Sequence, residues 1–335
     1  MVRRAAFLMI LASLVRLVGA EAEASLKLTK TIALPSVPGR FDHFAFDAAG
    51  DRLFVAATGN HSVEIVNVKT GTRIDSLTGL GKPHGLAWVA DQGKLFVADG
   101  TLAALKIYAG SPLKAIASLP LSDDADDMVY DPQTGLLYVG HGGSSPSVPG
   151  RIAVVNTRTD SVIDNLPASA HPEALDMDPK GKRIFANIAD SSEIIVIDST
   201  THSIRATWKL SRAKDNVPIA FDQEDHTLLV GCRTPARSVS VDDATGVEMS
   251  DLPSASGADD LFYEPQRHRA YLISGSGAID VYEVAPDQSL KALDSIKTGP
   301  GAKTGLLVLS LKSLFVAVPA TSAVPAEIRV YSTEP

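Results

Sequence analysis

From residue 25 onward, apolar positions alternate or run together over four to seven residues and are broken by Gly, Pro, Asp and Asn. This is the pattern of short strands joined by tight turns. One motif recurs: a short apolar run closed by an acid, a turn, then a Leu-Phe-Val-type run. It reads Phe44-Ala45-Phe46-Asp47 with Leu53-Phe54-Val55, Leu86-Ala87-Trp88 with Leu95-Phe96-Val97, and Met128-Val129-Tyr130-Asp131 with Leu137-Tyr138-Val139. It returns as Leu175-Asp176-Met177-Asp178 with Ile184-Phe185-Ala186, and as Ile219-Ala220-Phe221-Asp222 with Leu228-Leu229-Val230. The last two copies are Leu261-Phe262-Tyr263-Glu264 with Ala270-Tyr271-Leu272, and Leu306-Leu307-Val308 with Leu314-Phe315-Val316.

The residue that opens each copy falls at Asp42, His84, Asp126, Glu173, Val217, Asp259 and Thr304, in steps of 42, 42, 47, 44, 42 and 45 residues. Each step also holds a third strand, such as Val63 to Val68 or Ile194 to Ile197, and a fourth after a turn like Lys69-Thr70-Gly71-Thr72. Seven copies of a four-strand unit predict an all-β, seven-bladed β-propeller, an architecture whose radial repetition leaves only short, protected edges. The seventh copy ends soon after Ile328-Arg329-Val330-Tyr331 and lacks a fourth strand. The segment Leu26 to Leu34 is expected to supply it, closing the ring as one domain over residues 25–335. No stretch keeps a helical period.

Composition narrows the class. Hydrophobic residues are 45% and charged residues 21% of the 335, which excludes wholesale disorder. The formal charge of −8 excludes broad, sequence-independent contact with nucleic-acid phosphates. A single cysteine, Cys232, excludes an intrachain disulfide framework, a thiolate zinc site and a covalent CxxCH haem attachment. At the amino terminus Arg3 and Arg4 precede an apolar stretch from Ala5 to Val18 and small residues around Ala20 to Ala24. That order predicts a secretory signal peptide over residues 1–24 and a mature protein exported to the periplasm or beyond. The stretch is too short to span a bilayer, and no other segment is a candidate for a transmembrane span.

The unit Lys82-Pro83-His84-Gly85-Leu86-Ala87-Trp88 followed by Gly93-Lys94-Leu95-Phe96-Val97-Ala98 resembles the YVTN-type repeat of the YncE-like seven-bladed propellers. The resemblance covers nearly all of the chain after residue 24. It implies an exported bacterial propeller. The pattern is loose: Pro218 and Gly305 keep parts of the motif, while Asp126-Asp127-Met128 and Asp259-Asp260-Leu261 replace it.

Loops alternate between the two faces of a propeller, and the two faces read differently. Acids recur at one register on the face of the first-to-second strand turns: Asp47, Asp131, Asp178, Asp222 and Glu264. Recurrence at one register is turn chemistry, an Asp bonding the backbone two residues on. On the opposite face five of the eight histidines (His43, His61, His84, His141 and His171) gather in the first four blades, which neither twist nor packing requires. That face is read as a channel mouth lined by imidazole and carboxylate. His84, Asp99, Asp126, His141 and His171 are the candidate ligands for Zn, Mn, Fe or Cu, or for Ca if the carboxylates dominate. Asp127 and Glu173 are the candidate general bases. Arg40, Asp42, His43, Lys82, Asp259, Asp260 and Lys303 are the candidate substrate contacts. Capping of free backbone amides competes with chemistry for Asp126 and Asp259. The Gly-, Ser- and Pro-rich stretch 142–150 reads as a flap over the mouth or a plain solvated loop.

Three functions follow from this face. The first is an exported scaffold that binds a small molecule or an envelope protein at its mouth. The second is a metal-dependent hydrolase or lyase, lactonase-like, with the metal activating water. The third is a cofactor propeller of the haem or quinone kind, with His43 or His171 as an axial ligand. The residues leave the choice open.

Overall fold

The computed structural model describes residues 25–334, so the signal-peptide reading of residues 1–24 lies outside the described residues. Seven four-stranded antiparallel sheets, each a simple meander, follow one another around a ring. The inner strands of blades 1 to 7 are Phe44–Asp47, Pro83–Val89, Met128–Asp131, Pro172–Asp178, Lys214–Asp222, Ala258–Glu264 and Gly305–Val308. Blade 7 adds Ser313–Val318 and Ala326–Ser332, and its outer strand is Lys27–Leu34, paired antiparallel with Ala326–Ser332. The ring is therefore closed by the start of the domain, as the missing fourth strand requires. No helix among the described residues is long and apolar enough to cross a membrane.

The core lies between blades rather than within them. Each apolar cluster takes residues from two neighbouring sheets; Phe54, Ile65 and Leu77 of blade 1 pack with Leu86, Leu95 and Val97 of blade 2, for example. A blade cannot bury its faces alone, which is why the repeat must close. The turn acids do what their register predicts. Asp47, Asp131, Asp178 and Asp222 each accept a backbone N–H two residues on (Ala49, Gln133, Lys180 and Glu224, at 2.8 to 3.2 Å).

The ladder breaks where function was sought. The pairing of inner and second strands slips between Pro83 and Leu86, Pro172 and Ala174, Asn216 and Ile219, and Ala258 and Asp260. In blades 1 and 3 the same device shows as two residues facing one: Asp42 and His43 both bond Ala56, and Asp126 and Asp127 both bond Gly140. Bulges of this kind re-aim consecutive side chains. Here they set six of the seven opening residues, all but Thr304, into the channel mouth.

Candidate functional site

The mouth is a pocket of about 190 Å³ lined by Arg40, Asp42, His43, Lys82, His84, Asp124, Asp126, His171, Glu173, Arg233, Asp259 and Lys303. Asp126 stands at its centre. His171 donates from Nε2 to Asp126 Oδ2 (3.3 Å) and from Nδ1 to the Gly142 carbonyl (2.7 Å). With both nitrogens donating, the ring is an imidazolium; burial works against that charge, but Asp126 raises its pKa to about 9. His84 donates from Nδ1 to Asp42 Oδ2 at 2.6 Å, and the same nitrogen lies 3.5 Å from Asp126 Oδ1. Its Nε2 is buried, 4.0 Å from Asp124 Oδ1, and like the buried Asp126 Oδ1 it has no hydrogen-bond partner among the described residues.

Two groups of metal-ligand type thus share Asp126. Asp42, His84 and Asp126 form one, Asp126, His171 and Glu173 the other, and within each the ligand atoms lie within 4.8 Å of one another. Imidazole and carboxylate together suit Zn, Mn or Fe. A metal in the first group would replace the His84 Nδ1 proton and leave Nε2–H facing Asp124, the carboxylate–imidazole pairing that orients metal-binding histidines. Burial alone would raise Asp42, but the hydrogen bond from His84 and the charge of His43 hold it well below the usual carboxylate range. Glu173 makes no hydrogen bond to a described residue, and burial, with Asp126 nearby, raises its pKa.

The far wall is cationic. Lys303 and Arg233 both pair with Asp259, and Arg233 Nε also donates to the Ala258 carbonyl (2.9 Å). Arg40 Nη2 lies 3.6 Å from Asp42, and Lys82 pairs with Asp124 at 2.9 Å. Arg40 and Arg233 keep 44% and 36% of their side chains exposed, so they can meet an incoming anion.

Four expected site residues are placed elsewhere. Asp99 is fully buried outside the mouth, its carboxylate accepting the amides of Gly81 (2.7 Å), Lys82 (2.9 Å) and Leu102 (3.1 Å); it holds a loop and joins neither ligand group at the mouth. His141 has no free nitrogen: Nδ1 accepts the Ser122 amide (2.9 Å) and Nε2 donates to Asn165 (3.1 Å). Burial lowers its pKa, in keeping with a neutral ring. Asp127 and Asp260 sit one step down the channel, in a second cavity of about 220 Å³ that His43 and Asp259 also line. Asp127 accepts the Leu175 amide of the next blade (2.8 Å), and Asp260 accepts the Gly305 amide (2.7 Å) and His43 Nδ1–H (3.1 Å). The amide-capping role weighed for Asp126 and Asp259 therefore belongs to their neighbours, and Asp127 is a staple between blades rather than a base at the mouth. Stretch 142–150 is no free flap. Gly143 N bonds the Val148 carbonyl (2.9 Å), and Gly143 packs against the backbone of Ala170 and His171 too closely to admit a Cβ. Asp124 and Arg233 had no assigned role; only the folded ring shows that they face Lys82, His84 and Asp259.

The channel charges make stability fall with pH in the metal-free protein. His43 and His171 have raised pKa values, so their contribution is complete below about 6.5 and is lost as pH rises through about 9 for His171. Burial pushes Asp127 and Asp176 up to about 6 and about 7, so their contribution is likewise lost as pH rises through those values. His141 opposes this between its lowered value and 6.5, and the lowered Asp42 and Asp124 oppose it only below their ordinary value of 3.8. Thermal unfolding in EDTA is expected to give a lower Tm at pH 9 than at pH 6.5, and Asp176→Asn should flatten the part of the fall below pH 8. A flat or rising Tm over that window would contradict these assignments.

No family model matches the chain. A stretch of 172 residues, 47% of the chain, is 23% identical to antigen Lp49 of Leptospira interrogans serogroup Icterohaemorrhagiae serovar copenhageni (strain Fiocruz L1-130), and spans 36% of that protein's length. Among solved structures, a chain of the mitotic checkpoint complex crystal structure superposes with a TM-score of 0.77 at 14% identity, over 99% of this chain and 98% of that one. The U3-55K structure gives 0.75 at 12%, over 92% and 98%, and Kuenenia stuttgartiensis hydrazine synthase gives 0.72 at 15%, over 85% and 94%. At such identities the likeness is one of fold alone, and with the sheet order it shows that this chain is a seven-bladed β-propeller.

Proposed function

We propose that the channel mouth binds a divalent cation together with a small anionic ligand, and that the protein serves as an exported, YncE-like ligand-binding propeller of the cell envelope. The observation that carries the binding reading is the pair of ligand groups sharing Asp126, with one carboxylate oxygen buried and unpartnered. Arg40, beside Asp42, and Arg233 and Lys303, beside Asp259, line the same pocket and suit a carboxylate or phosphate that would complete the metal's open positions. A pocket of about 190 Å³ with this polar lining fits an ion and a small ligand, and is small for a macrocyclic cofactor. The YVTN-type repeat units and the charged, apolar, small-residue order of residues 1–24 support the export reading.

A second reading is favoured by Glu173. With the metal held by Asp42, His84 and Asp126, Glu173 stays free with a raised pKa, the position and protonation behaviour of a base for metal-bound water. The test begins with elemental analysis of exported, untagged protein and calorimetric titration with Zn²⁺ and Mn²⁺. Stoichiometric metal, with phosphate or a small carboxylate binding only to the loaded protein, supports the binding reading. Lactone or ester hydrolysis lost in Glu173→Gln with metal retained would favour the enzyme. Failure to take up any metal would overturn both.

A further inference from the structure

Among the turn acids of the opposite face, one differs from the rest. In four blades both carboxylate oxygens are used. Asp47 Oδ2 takes Arg52 Nε (2.9 Å), Asp178 Oδ2 takes Arg183 Nη2 (2.7 Å), and Asp131 Oδ2 takes the Thr134 hydroxyl (2.8 Å). Glu264 accepts the hydroxyls of Tyr271 (2.5 Å) and Thr333 (2.9 Å). Blade 5 has Thr227 where blades 1 and 4 have Arg52 and Arg183, and Thr227 turns its hydroxyl to the Asp225 carbonyl (3.0 Å). Asp222 is fully buried, and while Oδ1 caps its turn, Oδ2 meets the hydrogen-bond geometry with no described residue. Asp225 Oδ2, in the same turn, is also buried without a hydrogen bond among the described residues.

The first turn of blade 6 brings an imidazole to this orphaned pair. His268 caps the short 3₁₀ turn Pro265–Arg267 in the left-handed region (φ 50°), and its Nδ1 lies 3.4 Å from Asp225 Oδ2. Tyr263 stands within reach of both: its hydroxyl lies 3.2 Å from His268 Nδ1, and burial together with the nearby Asp222 carboxylate raises its pKa. The ligand atoms of Asp222, Asp225 and His268 lie within 4.8 Å of one another. Two carboxylates and an imidazole meet here with no Lys or Arg among the described residues paired to either acid, a donor set that a dication would balance.

We propose that Asp222, Asp225 and His268 form a second divalent-cation site, of the Zn²⁺ or Mn²⁺ class, that ties the inner hairpin of blade 5 to that of blade 6 on the face opposite the mouth. The imidazole favours these ions over Ca²⁺, and three protein ligands leave positions for water. The role is structural: the ion satisfies the oxygen that an arginine satisfies in blades 1 and 4.

Zn²⁺ and Mn²⁺ titrations of the full chain separate this site from the mouth. In Asp126→Ala, which disables the mouth, one equivalent of metal should still bind and raise Tm by several degrees. Adding Asp222→Asn, which keeps the turn cap, or His268→Gly, which keeps the left-handed backbone, should remove that equivalent and that rise while circular dichroism shows the same sheet. The proposal is overturned if Asp126→Ala binds no metal, or if both double variants bind it with the affinity of Asp126→Ala. An unfolded Asp222→Asn form leaves the His268→Gly form to decide. Metal retained at the mouth in Asp222→Asn alone, with its Tm gain reduced, would support the second site independently of the first.

Discussion

Asp126→Ala is expected to lower the mouth's affinity for Zn²⁺ or Mn²⁺ by at least about 100-fold, because Asp126 is common to both ligand groups. His84→Ala and His171→Ala each remove one group and should cost about 10- to 100-fold. His141→Ala should leave the affinity within about threefold, since that ring is spent on Ser122 and Asn165. The comparison is read by calorimetry on folded variants. Equal losses from His141→Ala and His171→Ala would mean that the cluster is not the ligand set. Asp126→Ala relieves crowding with Asp42 and Asp124 but strips the His171 imidazolium of its carboxylate, so its metal-free form should lose about 1–2 kcal/mol at pH 6.5.

Asp99→Ala is expected to be the most destabilising single change among the mouth-side acids. It leaves the amides of Gly81, Lys82 and Leu102, which lie on half-buried and exposed residues, without the buried carboxylate that accepts them. At about 1 kcal/mol for each donor, with water partly replacing the acceptor, the loss is about 2–3 kcal/mol, a drop in Tm of roughly 4–9 °C. Asp99→Asn keeps one acceptor oxygen and should lose about half as much. Metal affinity should change little in either, because the carboxylate does not reach the mouth. A Tm within about 2 °C of the parent in Asp99→Ala would show that water replaces it at the three amides.

The two acids show where one dimension stops. Asp99 and Asp126 both lie beside the mouth and both looked like ligands; what separates them is whether the oxygens are already taken, and the takers come from other loops. The same holds for His141 and His171, whose partners, Asn165 on an outer strand and Asp126 in the loop before an inner one, lie at separations the repeat does not encode. The bulges at the inner strands were also invisible, because an extra residue at the channel end leaves the step lengths intact while turning Asp127 and Asp260 toward backbone amides. Blade 5 is the exception. Thr227 in place of the arginines at 52 and 183 is readable along the chain once the register is known, and it is the signal that Asp222 lacks a partner.

By itself the sequence determined the repeat, the number of blades, the four-strand unit and the closing of the ring by its first strand. Each follows from local alternation and from the need of every blade for a neighbour to cover its apolar faces. The turn acids were legible for the same reason, since their partners lie two residues away. Only the tertiary structure decided which histidines and carboxylates meet. Asp42, His84, Asp126 and His171 open or flank four successive blades, and their meeting depends on the ring's curvature, the bulges that aim them and the hydrogen bonds that remove their competitors.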